Sequence, residues 1–272
     1  MKTVKRTDLA LELTGEAEKK GVSLEETVIN GVEVHTVTVS KHGEKIIGKS
    51  AGKYVTLHCG DCSNAQLASA AAKCLKDFLG HIAAWERIMV VGLGNDSITP
   101  DSLGSATVKK IPATAHLAHI KEFRELGMRS VIVLETGVLA QTGIESTDQL
   151  YYITRYLLPS LIIAIDSLAC SEYDRLASTI QLTDTGIALG SGVSNRRKRL
   201  TQSTVGVPVI AIGVPTVIDL GNIVPDQDKR GLMVTPQDID LCIRKYSEII
   251  SSAINSVVNP ELSPEEINSL LF

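Results

Sequence analysis

The amino-acid sequence predicts an α/β fold with a doubly wound, mostly parallel sheet and an N-terminal antiparallel β elaboration over about residues 1–60. Three observations lead to this prediction: apolar runs alternate with helical segments, two early segments alternate apolar and polar residues, and the composition is that of a globular protein. The chain has 272 residues, 44% hydrophobic and 21% charged. Because no repeat or linker-like tract divides it, we expect one α/β domain over residues 1–272.

The antiparallel elaboration is predicted from two short segments near the N-terminus. They are Val34-His-Thr-Val-Thr-Val39 and Lys53-Tyr-Val-Thr-Leu57. Alternation with a period of two is typical of strands that bury one face. Apolar residues at helical spacing follow from Asn64 to Ile82 and predict the first long helix.

Four continuous apolar runs predict buried parallel strands, at residues 88–91, 130–134, 161–165 and 207–212. A helix is predicted over Thr147–Leu158, ending before Pro159. Two later helices are predicted to begin at Thr235 and Ser263. Each of these hydroxyls is followed by proline and, three residues on, by a carboxylate.

Carboxylates follow the predicted parallel strands where the apolar runs end. Asp101 lies in the segment after the first run, Glu135 ends the second and Asp166 ends the third. Open α/β sheets bind ligands at the carboxyl ends of their strands. Because no histidine occupies a strand end, this pattern favours carboxylate chemistry or a hard-metal site over a Ser-His-Asp triad. The structural alternative is that such aspartates only cap the following helices.

Three other motifs give weaker indications. Gly92-Leu-Gly94 lacks the third glycine of a dinucleotide-binding loop, because Ser97 stands there, and a tight turn explains both glycines equally well. Cys59-Gly-Asp-Cys62 has no second C-x-x-C with which to form a zinc site. Asp184-Thr-Gly186 matches the tripeptide of pepsin-like proteases, but only one copy is present.

Composition argues against several classes of function. A net charge of −4 disfavours direct binding of nucleic acid, and no apolar run reaches the roughly 20 residues that span a bilayer. With no signal peptide and five scattered cysteines, a cytoplasmic location is expected. The basic run Arg196-Arg-Lys-Arg199 is either a solvated or subunit-contact segment, or a sub-site for an acidic stretch of a partner.

Several motifs occur in an order that resembles one known family. They are Arg6-Thr-Asp-Leu-Ala10, Val91-Gly-Leu-Gly-Asn95, Thr99-Pro-Asp-Ser-Leu-Gly104, Thr142-Gly-Ile-Glu145, Ile163-Ala-Ile-Asp-Ser-Leu-Ala169, Ser178-Thr-Ile-Gln-Leu-Thr-Asp-Thr-Gly-Ile187, Gly190-Ser-Gly-Val193 and Val207-Pro-Val-Ile-Ala-Ile-Gly-Val-Pro-Thr-Val217. This order resembles the germination proteases of spore-forming bacteria, which degrade small acid-soluble spore proteins. The similarity covers about residues 4–224 and resumes at Leu232-Met-Val-Thr-Pro236.

The resemblance implies an atypical aspartic endopeptidase whose fold is similar to that of the hydrogenase-maturation proteases. It places the two catalytic aspartates at Asp101 and Asp166, and it implies no cofactor and no metal. Substrate-binding or supporting roles are expected for Asn95, Thr99, Glu135, Glu145, Asp184, Arg196 and Arg197.

The expected mechanism has one proton shared between the two carboxylates. Asp101 opens a helix, whose positive dipole end favours the charged form, so it is the candidate base. Asp166 follows five apolar residues, and desolvation favours the protonated form that polarises a peptide carbonyl. The family cleaves after an acidic residue. One cation of the basic run is therefore expected to receive that residue, with a purely structural role as the alternative.

Two features depart from the family pattern. Typical relatives carry an extra segment where residues 225–231 directly join the flanking elements of this chain. The family is made as a zymogen cut shortly before the R-T-D-L-A motif, and only five residues precede Arg6. We therefore expect either constitutive competence or regulation by the hydration and acidity of the spore core.

The resemblance also implies a homotetramer in the spore cytoplasm, acting on spore proteins without contacting nucleic acid or membrane. Two alternatives remain open at this stage. One is a metal-assisted maturation-type peptidase with Asp101, Glu135 and Asp166 as oxygen ligands. The other is a catalytically silent binding protein on the same scaffold.

Overall fold

The computed structural model describes residues 7–15, 20–80, 87–125, 128–188, 198–224 and 231–271. The strands are β1 (Val22–Ile29), β2 (Val32–Val39), β3 (Gly52–His58), β4 (Arg87–Gly92), β5 (Ser130–Glu135), β6 (Leu161–Cys170), β7 (Thr179–Thr183), β8 (Ile187–Ala188), β9 (Arg199–Leu200), β10 (Val209–Asp219) and β11 (Met233–Val234). The helices are α1 (Lys41–Ile47), α2 (Asn64–Leu79), α3 (Leu103–Val108), α4 (Lys121–Glu125), α5 (Leu139–Thr142), α6 (Ser146–Leu157), α7 (Gln202–Val205), α8 (Leu220–Ile223), α9 (Ile239–Val258) and α10 (Pro264–Leu271).

The main sheet has the strand order β1-β2-β3-β7-β10-β6-β4-β5. Strands β10, β6, β4 and β5 are parallel, whereas β1, β2, β3 and β7 pair antiparallel. Strand β7 joins the two halves, because it lies antiparallel between β3 and β10. Short β11 pairs with the end of β10, and β8 and β9 form a separate ribbon. The predicted α/β class and the N-terminal antiparallel elaboration are confirmed.

Helices cover both faces of this sheet, as the doubly wound prediction requires. One apolar core packs α2, α3 and α9 against the odd-numbered residues of β6, such as Ile163 and Ile165. The opposite core packs α6 and α7 against the even-numbered residues, such as Ile162 and Ala164. A third cluster lies between the first residues of the described chain and the antiparallel strands. Because helices cover both faces of the sheet, the residues of its parallel strands are apolar on both faces.

Two helix starts predicted from hydroxyl and carboxylate spacing have different outcomes. Helix α10 begins as predicted: the Ser263 amide donates to Glu266 Oε2 at 2.8 Å, and the Glu266 amide donates to Ser263 Oγ at 3.2 Å. Helix α9 begins at Ile239, so the start predicted at Thr235 is wrong. The Thr235 hydroxyl instead donates to the Thr216 carbonyl at 2.8 Å, which ties it to β10.

The parallel strands β6 and β10 extend further than their apolar runs predict. They pair in parallel from Ile162 with Val209 to Cys170 with Ile218. Asp166 therefore lies in the middle of β6, and the prediction that it ends the strand is wrong. The backbone ladder between the two strands, which apolar character does not encode, continues the strands past the carboxylate. Among the described residues, no helix combines the length and apolar character needed to cross a lipid bilayer.

Candidate active site

A cavity of about 480 Å³ opens where β6 and β10 pass the segment that follows β4. Both aspartates expected to be catalytic, Asp101 and Asp166, line it, and so does a third carboxylate, Asp8. Asn95, Ser146 and Thr216 add polar groups, while Leu93, Ile98, Pro100, Val138 and Leu168 supply apolar wall. Three carboxylates in one partly apolar cavity are an arrangement suited to acid–base chemistry.

Asp101 is held by a tight turn between β4 and α3. It ends a 3₁₀ turn over Thr99–Asp101, two residues before α3 begins. Its Oδ2 accepts the Asn95 amide hydrogen at 2.9 Å, and the same amide lies 3.1 Å from the Asp101 carbonyl oxygen. Gly94 makes this approach possible: its φ is +100°, and a Cβ there would lie 2.1 Å from the Asp101 carbonyl oxygen. The turn therefore fixes the half-buried carboxylate at the cavity wall.

Asp166 is held by the sheet itself. The residue is 7% exposed, and its Oδ1 accepts the Ser167 amide hydrogen at 2.9 Å. On β10 its register partner is Gly213, where a Cβ would lie 2.6 Å from Leu168 Cγ. Gly213 is also paired with Gln181 of β7, so no side chain stands between Asp166 and Gln181 on this row of the sheet.

Asp8 is a member of this site that was not expected from the sequence. Its Oδ2 accepts the Ala169 amide hydrogen at 2.9 Å, and its own amide donates to the Ala169 carbonyl at 2.8 Å. Gln181 adds a bond from its Nε2 to the Asp8 carbonyl at 3.2 Å and accepts the Ala10 amide at 2.9 Å. The only signal in the sequence was the position of Asp8 within the R-T-D-L-A motif.

Two of the expected supporting residues lie in the turn that carries Asp101. Asn95 lines the cavity, and its Oδ1 accepts from the Ser97 amide at 3.0 Å and from Gln141 Nε2 at 2.6 Å. Thr99 is exposed, and its carbonyl accepts the amide and the hydroxyl of Ser102 at 3.1 and 2.8 Å. Both residues shape the turn, and only Asn95 contributes to the cavity wall.

Three other expected supporting residues, Glu135, Glu145 and Asp184, do not line the cavity. Glu135 accepts the Ser105 hydroxyl and lies 3.9 Å from Lys109 Nζ. These contacts tie the end of β5 to α3.

The other two of these carboxylates hold backbone elements outside the cavity. Glu145 is the N-cap residue of α6, and its carbonyl accepts the Asp148 amide at 2.9 Å. Asp184 Oδ1 accepts the Lys53 amide at 2.8 Å, at the start of β3. Both therefore support the fold beside the cavity.

The oxygen-ligand alternative, with Asp101, Glu135 and Asp166 around a metal, does not have a metal site's geometry. Within the described part of the chain, the one group of three such side chains with ligand atoms within 4.8 Å of one another is Glu33, His35 and His58. Glu135 instead bonds to Ser105, away from the cavity.

The basic run is only partly described. Arg196 and Arg197 lie outside the described residues. Lys198 is exposed and pairs with Asp148 of α6 at 2.8 Å. Arg199 lines a second, smaller cavity of about 40 Å³, which shares three wall residues with the first: Asp8, Leu168 and Ala188.

The smaller cavity brings two cations beside Asp8. Lys49 lines it with Arg199 and donates from Nζ to the Thr7 carbonyl at 2.9 Å. Burial lowers the pKa of Lys49, an effect that the Asp8 carboxylate opposes and the Arg199 charge reinforces. Arg199 Nε is buried with no hydrogen-bond partner among the described residues. The wall of the candidate active site therefore continues into a cationic recess.

Comparison with known proteins gives a consistent result. A family model described as "Germination protease" matches residues 3–230. A germination protease of Caldanaerobacter subterraneus subsp. tengcongensis is 37% identical over 319 aligned positions, covering 98% of this chain and 98% of the relative. One from Clostridium tetani is 36% identical, covering 98% and 99%.

A third relative, a germination protease of Oceanobacillus iheyensis, is 40% identical over 241 positions. That alignment covers 81% of this chain and 66% of the relative, so the chain spans about two thirds of that protein's length. The alignment of 319 positions is longer than the 272 residues of this chain. The relatives therefore carry residues with no counterpart here, in line with the expected shortening. The segment expected to be shortened, residues 225–231, lies outside the described residues except for Gly231.

Proposed function

This chain belongs to the germination protease family, and we propose that it is an endopeptidase that begins the degradation of small acid-soluble spore proteins during germination. The proposed chemistry is aspartic, with a water molecule activated between Asp101 and Asp166. The observation that carries the proposal is the presence of both carboxylates on the wall of one cavity. The two residues are 65 positions apart in the chain and reach the cavity from different elements.

The two carboxylates are placed in environments that favour different protonation states. Asp166 is nearly buried, and a low-dielectric surrounding disfavours its negative charge. Asp101 is only half-buried, so its negative charge is disfavoured less. Each carboxylate accepts one backbone amide at 2.9 Å, from Asn95 for Asp101 and from Ser167 for Asp166, so burial is the difference between them. Like charges lining one cavity also disfavour simultaneous ionisation, and Asp8 adds a third carboxylate to that balance. We therefore assign the base to Asp101 and the acid to Asp166.

Hydrolysis then proceeds in two proton-balanced steps. Asp101 takes a proton from water as the water oxygen attacks the peptide carbonyl carbon, and Asp166 gives its proton to the carbonyl oxygen. In the second step Asp101 returns the proton to the amide nitrogen as the C–N bond breaks. Asp166 recovers a proton from the hydroxyl that becomes part of the new carboxyl group. Both carboxylates end in their starting states.

We assign the recess beside Asp8 to an acidic side chain of the substrate. Arg199 and Lys49 line the recess, where burial lowers the pKa of Lys49 and the Asp8 and Glu12 carboxylates oppose that effect. The buried Arg199 Nε has no hydrogen-bond partner among the described residues, so it can donate to a carboxylate of the substrate. A volume of about 40 Å³ suits a single carboxylate group. Of the two cations of the basic run that lie in the described part of the chain, Arg199 has a position that supports this role, whereas Lys198 pairs with Asp148.

The remaining parts of the proposal come from the family and the sequence alone. They are a location in the spore core, assembly as a homotetramer, and either constitutive competence or regulation by the hydration and acidity of the spore core, in place of the family's zymogen cut before Arg6. Arg6 lies outside the described residues. Sedimentation of the purified chain would give the mass of the assembly, and mass spectrometry of its N-terminus before and after incubation at acidic pH would detect processing.

The direct test of the function is incubation with a purified spore protein, followed by mass spectrometry of the products. The wild-type chain is expected to give discrete fragments, and Asp101→Asn and Asp166→Asn are expected to give none. Asp77→Asn is the matched control, because Asp77 is exposed on α2, away from the cavity. Cleavage by both cavity variants at the wild-type rate would refute the assignment. Loss of wild-type activity with a chelator, restored by a divalent ion, would favour the metal-assisted alternative.

A further inference from the structure

Two histidines and a glutamate lie together on the antiparallel part of the sheet, outside the candidate active site. Glu33 and His35 are on β2, and His58 is the last residue of β3. One ligand atom from each lies within 4.8 Å of the other two. We propose that these three side chains bind one zinc ion, independently of the proteolytic function proposed above.

The strand register explains why the three side chains meet. His35 pairs with Thr56 across β2 and β3, so Glu33 and His58, each two residues away along its own strand, project from the same face. His35 Nε2 lies 2.6 Å from Glu33 Oε1, and the His35 and His58 ring centroids are 4.6 Å apart. Side chains on two paired strands therefore converge without any loop having to close.

A further carboxylate stands beside the cluster. Glu26 of β1 is opposite His35 in the register, and its Oε1 lies 3.8 Å from His35 Nε2. Two imidazoles with one or two carboxylates form a ligand set that zinc accepts, with water completing four-coordination where needed. The exposed Glu33 and Glu26 side chains can adjust their positions, while the sheet holds His35, whose side chain is 12% exposed.

His35 also has a polar atom that the described structure leaves without a partner. Its Nδ1 is buried and has no hydrogen-bond partner among the described residues, and the same is true of Thr56 Oγ1 on the paired strand. Ligation through Nε2 places the remaining ring proton on Nδ1. A metal-bound imidazole usually donates that proton to a nearby acceptor, and among the described residues no such acceptor is bonded to Nδ1.

The charges around the cluster favour a cation overall. Arg175 Nη1 lies 3.5 Å from His58 Nε2, which weakens binding at that ring. Its guanidinium pairs with Glu172 at 3.1 Å, and the two glutamates on β1 and β2 add negative charge. The site is thus a net acidic one with two nitrogen ligands.

The zinc site is too far from the active-site cavity to take part in hydrolysis. One row of the sheet runs from His35 through Thr56, Gln181 and Gly213 to Asp166. Four strand spacings of about 4.8 Å separate the ends of that row by about 19 Å. The ion would instead cross-link β2 to β3 and stabilise the antiparallel half of the sheet.

The test is calorimetric titration of the metal-stripped full chain with ZnCl₂. We expect one ion per chain, and affinity at least about tenfold weaker in Glu33→Gln and His58→Asn. Glu33 is exposed, so its variant tests the site even if His58→Asn folds poorly. His42→Asn, an exposed histidine on α1, is the matched control and should bind as the wild type does.

The same titration distinguishes the proposed site from the neighbouring thiols. Cys59 and Cys62 follow His58 closely and are also zinc-binding residue types. If Cys62→Ser abolishes binding while Glu33→Gln does not change it, the thiols hold the metal and the proposal is wrong. Equal affinity in wild type, Glu33→Gln and His58→Asn would reveal an adventitious ion only, and no binding to the wild type would equally overturn the proposal.

Discussion

Replacing Gly94 by alanine should disable catalysis by moving Asp101. At a φ of +100° an alanine is strained by about 1–2 kcal/mol, and its Cβ would lie 2.1 Å from the Asp101 carbonyl oxygen. An ordinary contact begins at 3.4 Å, so the turn must open by more than about 1 Å. Overpacking adds about 1–3 kcal/mol, for a total loss of unfolding free energy of about 2–5 kcal/mol.

The effect on activity should be larger than the effect on folding. Misplacing a reacting group by about 1 Å costs on the order of 100-fold in rate, so kcat/KM of Gly94→Ala should fall about 100-fold. Gly48→Ala is the control, because Gly48 also has a positive φ of +70° but no atom within 4 Å of the added Cβ. It should lose about 1–2 kcal/mol and keep full activity.

Urea unfolding and steady-state cleavage of a spore-protein peptide measure both quantities. Activity of Gly94→Ala within twofold of Gly48→Ala would refute the claim that the turn positions Asp101 for the reaction.

Three further changes test other parts of the structure. Arg199→Glu should raise KM for a substrate with an acidic residue by about 10–100-fold and change kcat less. Lys198→Glu is the control and should leave KM unchanged. Equal KM values for the two variants would refute the assignment of the acidic sub-site. Gln181→Ala removes the bonds to Ala10 and Asp8 and should lower the free energy of unfolding by about 1–3 kcal/mol in urea; no change would mean that these bonds do not hold the N-terminal segment. The hydrogen bond from the Ser263 amide lowers the pKa of the Glu266 carboxyl group in the folded protein. This bond therefore stabilises α10 at pH values above the pKa of the unfolded carboxyl group, and the stabilisation is lost as the pH falls through the lower pKa of the folded state. The protection factors of the α10 amides, which correct for the intrinsic pH dependence of exchange, should therefore fall at acidic pH in the wild type, and Glu266→Gln should remove that dependence.

The sequence was sufficient to predict the strands that are continuous apolar runs and the helix start that is capped by neighbouring residues. The runs at 88–91 and 130–134 became β4 and β5 within a residue or two, because both faces of these strands are covered by helices. The capping box of α10 was found because all its bonds are local. Where structure depends on residues within about four positions, pattern was sufficient.

Elements that depend on distant partners were not predictable in this way. Strand β7 carries buried Thr179, Gln181 and Thr183, which resemble a polar segment until β3 and β10 supply its hydrogen bonds. Thr235 has the residue type of a cap but bonds to β10 across the fold. Neither the strand pairing of β7 nor the bond of Thr235 to β10 can be predicted from the neighbouring residues in the sequence.

The candidate site divides in the same manner. Asp101 and Asp166 follow or interrupt apolar runs and could be selected from the sequence, whereas Asp8 is held beside the cavity by bonds to the distant residues Ala169 and Gln181. Glu135 was selected on the same grounds as Asp166, yet its bond to Ser105 directs it away from the cavity. Position at a strand end indicates the edge of the sheet but not the direction of a side chain.

The pH dependence of kcat/KM, measured for the wild type and for both aspartate variants, tests the shared proton most directly. A bell-shaped profile is expected for the wild type, since one carboxylate must be charged and the other protonated, with both limbs belonging to the pair. Asp101→Asn and Asp166→Asn should each lower kcat/KM on the order of 10³-fold or more at every pH. A profile without an alkaline limb, or either variant retaining a tenth of the wild-type rate, would contradict the shared proton.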